Sequence, residues 1–137
     1  MAINYEELYA GIGYLFYSIS ACDGNVHAKE VEKLKEMIKD KWLDYEDSTD
    51  EFGTDAGHYI QFAFDLANMN EMDYKEAYDR FKTHHDEHGE DYVPQLNKLI
   101  MQTSEAIADV FHQKNKSELT LLTSLSLLLR DKPGVKA

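Results

Sequence analysis

Residues 5–38 read YEELYAGIGYLFYSISACDGNVHAKEVEKLKEMI, two apolar segments joined by a short polar turn. Apolar residues recur at helical spacing from Leu8 to Ile19, and the turn residues at 23–25 end that segment. The second segment begins with His27 at an N-cap position, followed three residues later by Glu30, which is the spacing of a capping box. This stretch therefore predicts a tight helical hairpin.

Four further segments show the same periodicity and predict four more helices. They are 59–66, with a stripe of Tyr59, Phe62, Ala63 and Leu66; 74–81, after the capping pair Asp73 and Glu76; a long helix from near Glu90 to about Phe111; and a last helix from the N-cap Asn115 to Arg130. We expect Gly89 as the left-handed residue that ends the fourth helix and Pro94 in the first turn of the fifth. No segment alternates with the period of two that strands require, so the predicted fold is an all-α antiparallel bundle of about six helices.

The helical stripes also predict which side chains form the core. The expected core residues are Tyr5, Leu8, Ile12, Val31, Leu34, Tyr59, Phe62, Tyr78, Phe81, Ile100, Ile107 and Leu122. Between residues 41 and 57 the periodicity is lost. After Lys41, six acidic residues accumulate from Asp44 to Asp55 without a basic residue among them, which predicts a solvated loop.

Composition limits the classes of function. The 137 residues include 14 basic and 26 acidic side chains, a formal charge of -12, which disfavours binding to nucleic acid and to anionic membranes. No apolar run reaches the length of a membrane span, and the amino terminus lacks the pattern of a signal peptide, so we expect a cytoplasmic protein without membrane insertion. The single cysteine, Cys22, excludes an internal disulfide and is expected to be buried. The length predicts one domain over residues 1–132 with a short tail at 133–137.

Residues 19–30 can be aligned with a calcium loop of the EF-hand type. Gly24, Val26 and Glu30 fit the turn, the apolar eighth position and the acidic twelfth position. However, Ile19 and Ala21 stand where the first two oxygen ligands are needed. A hard cation needs six or more oxygens, so tight calcium binding of this kind is not predicted.

The segment SACDGNVHAKE at residues 20–30, set between two apolar helices, resembles the signature of the TerB-like family. In that family an Ala-Asp-Gly turn precedes an apolar residue, a capping residue and an acid that opens the next helix. The family includes tellurite-resistance proteins and the amino-terminal domain of a membrane-anchored DnaJ-like co-chaperone. The resemblance implies a metal near the acidic residues, so Asp23 and Glu30 are the expected ligands of a weakly bound Ca²⁺ or Mg²⁺. The alternative is that Asp23 is a turn residue and Glu30 only a capping acid.

Members of the family repeat this motif near the carboxyl terminus, and residues 108–118 align with 20–30 without a gap. Glu118 takes the place of Glu30, and Asn115 that of His27. Phe111 and His112 replace the Asp-Gly pair, so the repeat is degenerate. We expect the two hairpins to pack near each other.

The segment HHDEH at residues 84–88 is a second candidate metal site, because His84 and His88 lie four apart and share a helix face. These histidines, together with acids of the loop from Asp44 to Asp55, would form the site of a metal-dependent enzyme. Alternatively, histidines in the last turn of a helix simply complement the negative end of its dipole.

The last helix has an uncharged polar face of Thr120, Thr123 and Ser124, with leucines on the remainder. It is expected either as a central core helix or as the face that meets a partner or a second copy of the chain. The leading hypothesis is a non-catalytic TerB-like module in a stress-related assembly, with unidentified protein partners and weak divalent-cation binding. The metal-dependent enzyme is the alternative hypothesis.

Overall fold

The structure, a computed structural model, describes residues 4–22, 24, 26–42, 56–110 and 116–130. These residues form six α-helices and no strand, which confirms the predicted all-α bundle. The helices are α1 (Tyr5–Ala21), α2 (Ala28–Met37), α3 (Ala56–Met69), α4 (Tyr74–Glu87), α5 (Pro94–Ala108) and α6 (Lys116–Arg130). A π-helical turn, Ile38–Trp42, continues α2, and a 3-10 turn, Gly89–Asp91, separates α4 from α5. Among these helices, none is both long and apolar enough to span a bilayer.

Helix α1 is the centre of the bundle, because it contacts α3, α4 and α5 and buries 11 of its 17 residues. Asn4 begins the helix by accepting a 3.1 Å hydrogen bond from the backbone N–H of Glu7. Gly13 allows α3 to approach closely, since a Cβ at this position would overlap the Ile60 carbonyl oxygen and lie 2.8 Å from the Ala63 Cβ. The packing of α1 against α3 therefore depends on the absence of a side chain at residue 13.

The core prediction is largely confirmed. Seven of the twelve expected core residues are buried and four are half-buried against the core; the half-buried ones are Tyr5, Val31, Tyr59 and Tyr78. The prediction is wrong for Phe62, whose side chain is 59% exposed and stacks on His58. Helix α3 buries Ala63 as expected, but the rest of its buried stripe is Ile60, Phe64 and Ala67, which is rotated by one position from the expected one.

The predicted loop from 41 to 57 is wrong at both ends. Trp42 is fully buried, packs edge-on against Phe16 and donates a 3.0 Å hydrogen bond from its indole nitrogen to the Thr103 hydroxyl. Helix α3 already begins at Ala56. The acidic residues 44–55 lie outside the described residues.

Three predicted helix ends differ from the structure. Asp73 is at the N-cap of α4 as expected, but its side chain makes no capping hydrogen bond, and Glu76 pairs with Arg80 instead. Gly89 is not left-handed, because the chain leaves α4 through the 3-10 turn. Helix α5 begins at Pro94 itself rather than near Glu90.

Helix α6 is not a central core helix. It buries Leu122, Leu125 and Leu129 on one side, and exposes its uncharged polar residues Thr120, Thr123 and Ser124. Two leucines are also more than half exposed, Leu119 at 51% and Leu127 at 57%. The helix therefore covers the core from outside and presents a mixed outer face that carries no charge from Leu119 to Leu127.

Candidate functional site

The predicted turn between α1 and α2 is present, but the prediction of a tight hairpin is wrong, because α2 packs on α5 rather than along α1. The acid of the turn is buried where the two helices meet. Glu30 is 1% exposed, and its Oε1 atom accepts hydrogen bonds from the Ser20 hydroxyl at 2.8 Å and from the His27 backbone N–H at 3.0 Å. The second bond is the one expected of a capping acid. Gly24 turns the chain with φ +107°, a conformation that a side chain would strain. Cys22 is buried, as predicted.

Glu30 thus has a structural role that the sequence predicted. A buried carboxylate is costly unless it is hydrogen-bonded, and Ser20 and His27 supply donors at the junction of α1 and α2. Asp23, the other expected metal ligand, lies outside the described residues, as does Asn25. The pairing of Asp23 with Glu30 around a cation stays a prediction.

The degenerate repeat shows a parallel in burial. Glu118 is 4% exposed and Leu122 6%, and their counterparts Glu30 and Leu34 are 1% and 0% exposed. Helix α5 contacts α1 and α2, and α6 contacts α1, so helices of the two segments do pack together. Residues 111–115, which include the expected N-cap Asn115, lie outside the described residues. Whether the two hairpins share one geometry stays a prediction.

A polar cavity of about 600 Å³ lies beside the hairpin turn. Gly24 and Cys22 line one side of it, and Glu71 and Asp73, from the connection between α3 and α4, line the other. The Tyr17 hydroxyl donates a 2.8 Å hydrogen bond to the Met72 carbonyl oxygen in this connection. Burial raises the pKa of Tyr17, and the nearby charges of Glu71 and Asp73 raise it further. Sequence reasoning missed these two acids, because packing rather than spacing brings them to the turn.

His84 of α4 and His88, the C-cap residue of that helix, lie together on one face, as predicted. The rings of His84 and His88 stack with their centroids 4.5 Å apart. The acid beside them comes from α1: Oε1 of Glu7 lies 3.9 Å from Nε2 of His84. The acids expected to complete this site, those from Asp44 to Asp55, lie outside the described residues. Glu7 was missed because only the packing of α1 on α4 brings it to the histidines.

Two oxygen groups flank the histidine rings. The Tyr92 hydroxyl lies 2.8 Å from Nδ1 of His84, and a carboxylate oxygen of Asp91 lies 4.0 Å from Nδ1 of His88. Burial lowers the pKa of His84, and the neighbouring His88 lowers it further, against the opposing effect of the nearby acids. His84 is therefore held towards its neutral form, in which one ring nitrogen carries a lone pair.

His85, the remaining histidine of the segment, does not join this face. It is 1% exposed and packs against Phe81 and Tyr92, with ring centroids 6.0 Å and 4.5 Å apart. It belongs to the core, and its burial separates it from His84 and His88.

The pair of histidines borders a cavity of about 710 Å³ between α1 and α4. Five acidic side chains and two basic ones line it together with the histidines; the acids are Glu7, Asp73, Glu76, Asp79 and Glu87, and the basic residues are Lys75 and Arg80. The guanidinium of Arg80 lies over the Tyr14 ring, 5.4 Å from its centroid. The cavity therefore has an excess of negative charge, which favours cations.

The chain matches no family model, and neither the curated proteins nor the solved structures contain a significant match to it. The resemblance to the TerB-like family accordingly rests on residues 20–30 and on the order of the helices.

Proposed function

We propose that this chain is a non-catalytic helical module of the TerB-like type, which takes part in a stress-related protein assembly and binds Ca²⁺ or Mg²⁺ weakly near its hairpin turn. The observation that carries the proposal is the burial of Glu30 against Ser20 within the hairpin that resembles the family signature. The burial of Glu118 at the corresponding place of the second segment supports it. The tellurite and stress roles come from the resemblance alone.

Weak rather than tight cation binding follows from the surroundings of Glu30. One of its oxygens is already used by two hydrogen bonds, whereas a hard cation needs six or more oxygen ligands. The acids Glu71 and Asp73 across the polar cavity raise the local cation concentration without supplying a complete shell. Asp23 is the expected second ligand in this proposal.

Titration calorimetry with CaCl₂ and MgCl₂ tests the cation part of the proposal. Wild type should bind weakly, and Asp23→Asn and Glu30→Gln should each reduce the binding. Glu32→Gln is a matched control, because Glu32 is an exposed acid on the same helix. Micromolar or tighter calcium binding by the wild type would contradict the weak-site proposal. Cation binding that neither substitution changes would exclude the hairpin as the site.

The proposal also includes self-association through α6. At a formal charge of -12, two copies of the chain repel each other over most of their surface. The uncharged outer face of α6, with Leu119 and Leu127 exposed, is a surface on which two copies can approach without that cost. Sedimentation velocity should show a dimer that Leu127→Asp disrupts and Glu32→Gln does not. A monomeric wild type would rule out the homodimer.

The partner part of the proposal has a separate test. Native affinity purification followed by mass spectrometry should recover one protein repeatedly with the wild-type chain. That protein should then bind the purified chain in a defined ratio. Failure to find such a complex with purified components would contradict the assembly role, whatever the outcome of the cation titration.

A further inference from the structure

The face shared by Glu7, His84 and His88 is separate from the hairpin and has a different set of donor groups. One candidate ligand atom from each of the three residues lies within 4.8 Å of the other two. We propose that these three residues form a binding site for one divalent transition-metal ion of the zinc class. The inference goes beyond the proposed function, because it concerns another site and another class of cation.

The ligand atoms are slightly farther apart than in a zinc-bound site, so small side-chain rotations would bring them to bonding distance of one ion. With zinc bonds of about 2.0–2.1 Å, ligand atoms of a tetrahedral site lie roughly 3.4 Å apart. Oε1 of Glu7 and Nε2 of His84 are already 3.9 Å apart. The side chains of Glu7 and His88 are 62% and 43% exposed, so both can rotate inwards without disturbing the core.

His84 is the fixed member of the site. Its side chain is only 14% exposed, and its Nδ1 is within hydrogen-bond distance of the hydroxyl of Tyr92, which is itself buried. When Nδ1–H donates to the Tyr92 oxygen, the lone pair is on Nε2, the atom nearest Glu7. Metal-binding histidines commonly donate their other N–H to an oxygen group in this way, which fixes the tautomer and the orientation of the ring. Tyr92 is thus a positioning residue.

The chemistry of the donors selects the metal. Two imidazoles and one carboxylate suit zinc, nickel, copper or cobalt, whereas calcium and magnesium prefer shells made only of oxygen. Histidines four residues apart on a helix can bind one ion from the same face. The excess of acids around the cavity favours any divalent cation there, and the imidazoles then discriminate between the classes. Three protein ligands leave a fourth position open towards the cavity for water or another ligand.

The test is titration of the full chain, without a histidine tag, with ZnSO₄ by calorimetry and with CoCl₂ by visible absorption. We expect one zinc ion to bind per chain. We expect bound Co²⁺ to show the intense visible absorption bands of a tetrahedral site. A large excess of CaCl₂ should not displace the zinc. This calcium result separates the present site from the hairpin, so either proposal can fail without the other.

Two variants remove exposed ligands with little risk to folding. Glu7→Gln and His88→Gln should each weaken zinc binding at least as strongly as the roughly 10- to 100-fold loss typical of a lost outer hydrogen-bond partner. Glu6→Gln is the control for the first, because Glu6 is the neighbouring exposed acid of α1. His58→Gln is the control for the second, since His58 is an exposed histidine on α3 and not a member of the cluster.

Tyr92→Phe tests the positioning role, and it should weaken zinc binding by about tenfold or more while the stoichiometry stays at one. Wild type that does not bind zinc would overturn the proposal. So would zinc affinity that is unchanged in His88→Gln, or that falls equally in His58→Gln. Zinc displaced by calcium would show that the site has no preference for imidazole-binding metals and would also overturn it.

Discussion

The Ser20 hydroxyl, near the end of α1, donates a 2.8 Å hydrogen bond to the buried carboxylate of Glu30, in the first turn of α2. Together with the bond from the His27 N–H to the same oxygen, this contact joins the two helices of the hairpin across their turn. The carboxylate therefore acts both as a helix cap and as a tertiary contact. Its loss affects two helices and not one.

Replacing Glu30 should lower stability whether or not a cation is present. Glu30→Ala leaves the Ser20 hydroxyl and the His27 N–H without this acceptor, which should lower the free energy of unfolding by about 1–3 kcal/mol. Urea denaturation with and without CaCl₂ measures it, with Glu32→Ala as the exposed control on the same helix. If the loss occurred only in the presence of calcium, Glu30 would be a ligand rather than a cap.

Two glycines of α1 should respond in opposite directions to the same substitution. Gly13→Ala places a Cβ against the backbone of α3, so overpacking of about 1–3 kcal/mol should outweigh the gain in helix propensity. Gly11→Ala meets only the His84 Cβ at 3.9 Å, an ordinary contact, and should gain up to about 1 kcal/mol. Thermal denaturation of the two variants measures the difference. Equal effects at both positions would show that α1 and α3 do not pack this closely.

Much of the bundle could be predicted because the decisive signals are local. The hairpin turn and the cap of α2 lie within a dozen residues, so the spacing alone predicts their contact. The buried face of α3 is harder to predict, because Tyr59 and Phe62 form one apolar stripe while Ile60, Phe64 and Ala67 form another. The close approach of α3 to Gly13 decides which stripe is buried, and that approach involves a distant part of the chain.

The same argument explains what was missed at the candidate sites. His84 and His88 share a face because of helical geometry, which the spacing reveals. Glu7 joins them only because α1 packs on α4. Nothing in the local sequence distinguishes Glu7 from the other acidic residues of the chain, which has 26 in total. The local sequence places Trp42 in a solvated loop, because its partner Thr103 is far away in the chain.

Glu71 occupies a left-handed conformation, with φ +50°, that favours glycine. It ends α3 in a Schellman-type turn, in which the Met72 N–H donates to the Ala67 carbonyl at 3.0 Å. A side chain in this conformation costs roughly 1–2 kcal/mol, so Glu71→Gly should raise the free energy of unfolding by about 1 kcal/mol. Asn70→Gly is the matched control. Asn70 does not have a positive φ, and glycine there should be neutral or destabilising.

Stability should fall at high pH because the half-buried Tyr78 resists ionisation in the folded chain. Burial and the nearby charges of Asp79 and Asp86 raise the pKa of Tyr78 from 10.0 to about 12. The unfolded chain therefore releases this proton at a lower pH than the folded chain does. The stabilisation is fully present below pH 10 and is lost as the pH rises to about 12.

The variant Tyr78→Phe should therefore flatten the decline in stability between pH 10 and pH 12, while changing stability little at pH 7. The small effect at neutral pH follows because the Tyr78 hydroxyl makes no hydrogen bond within the described part of the chain. Tyr17→Phe is the contrasting variant. It removes the 2.8 Å bond to the Met72 carbonyl and should cost about 1 kcal/mol already at neutral pH. Urea denaturation at neutral pH and between pH 10 and pH 12 measures the free energy of unfolding of both variants. An alkaline decline as steep in Tyr78→Phe as in the wild type would show that Tyr78 does not titrate with a raised pKa in the folded chain.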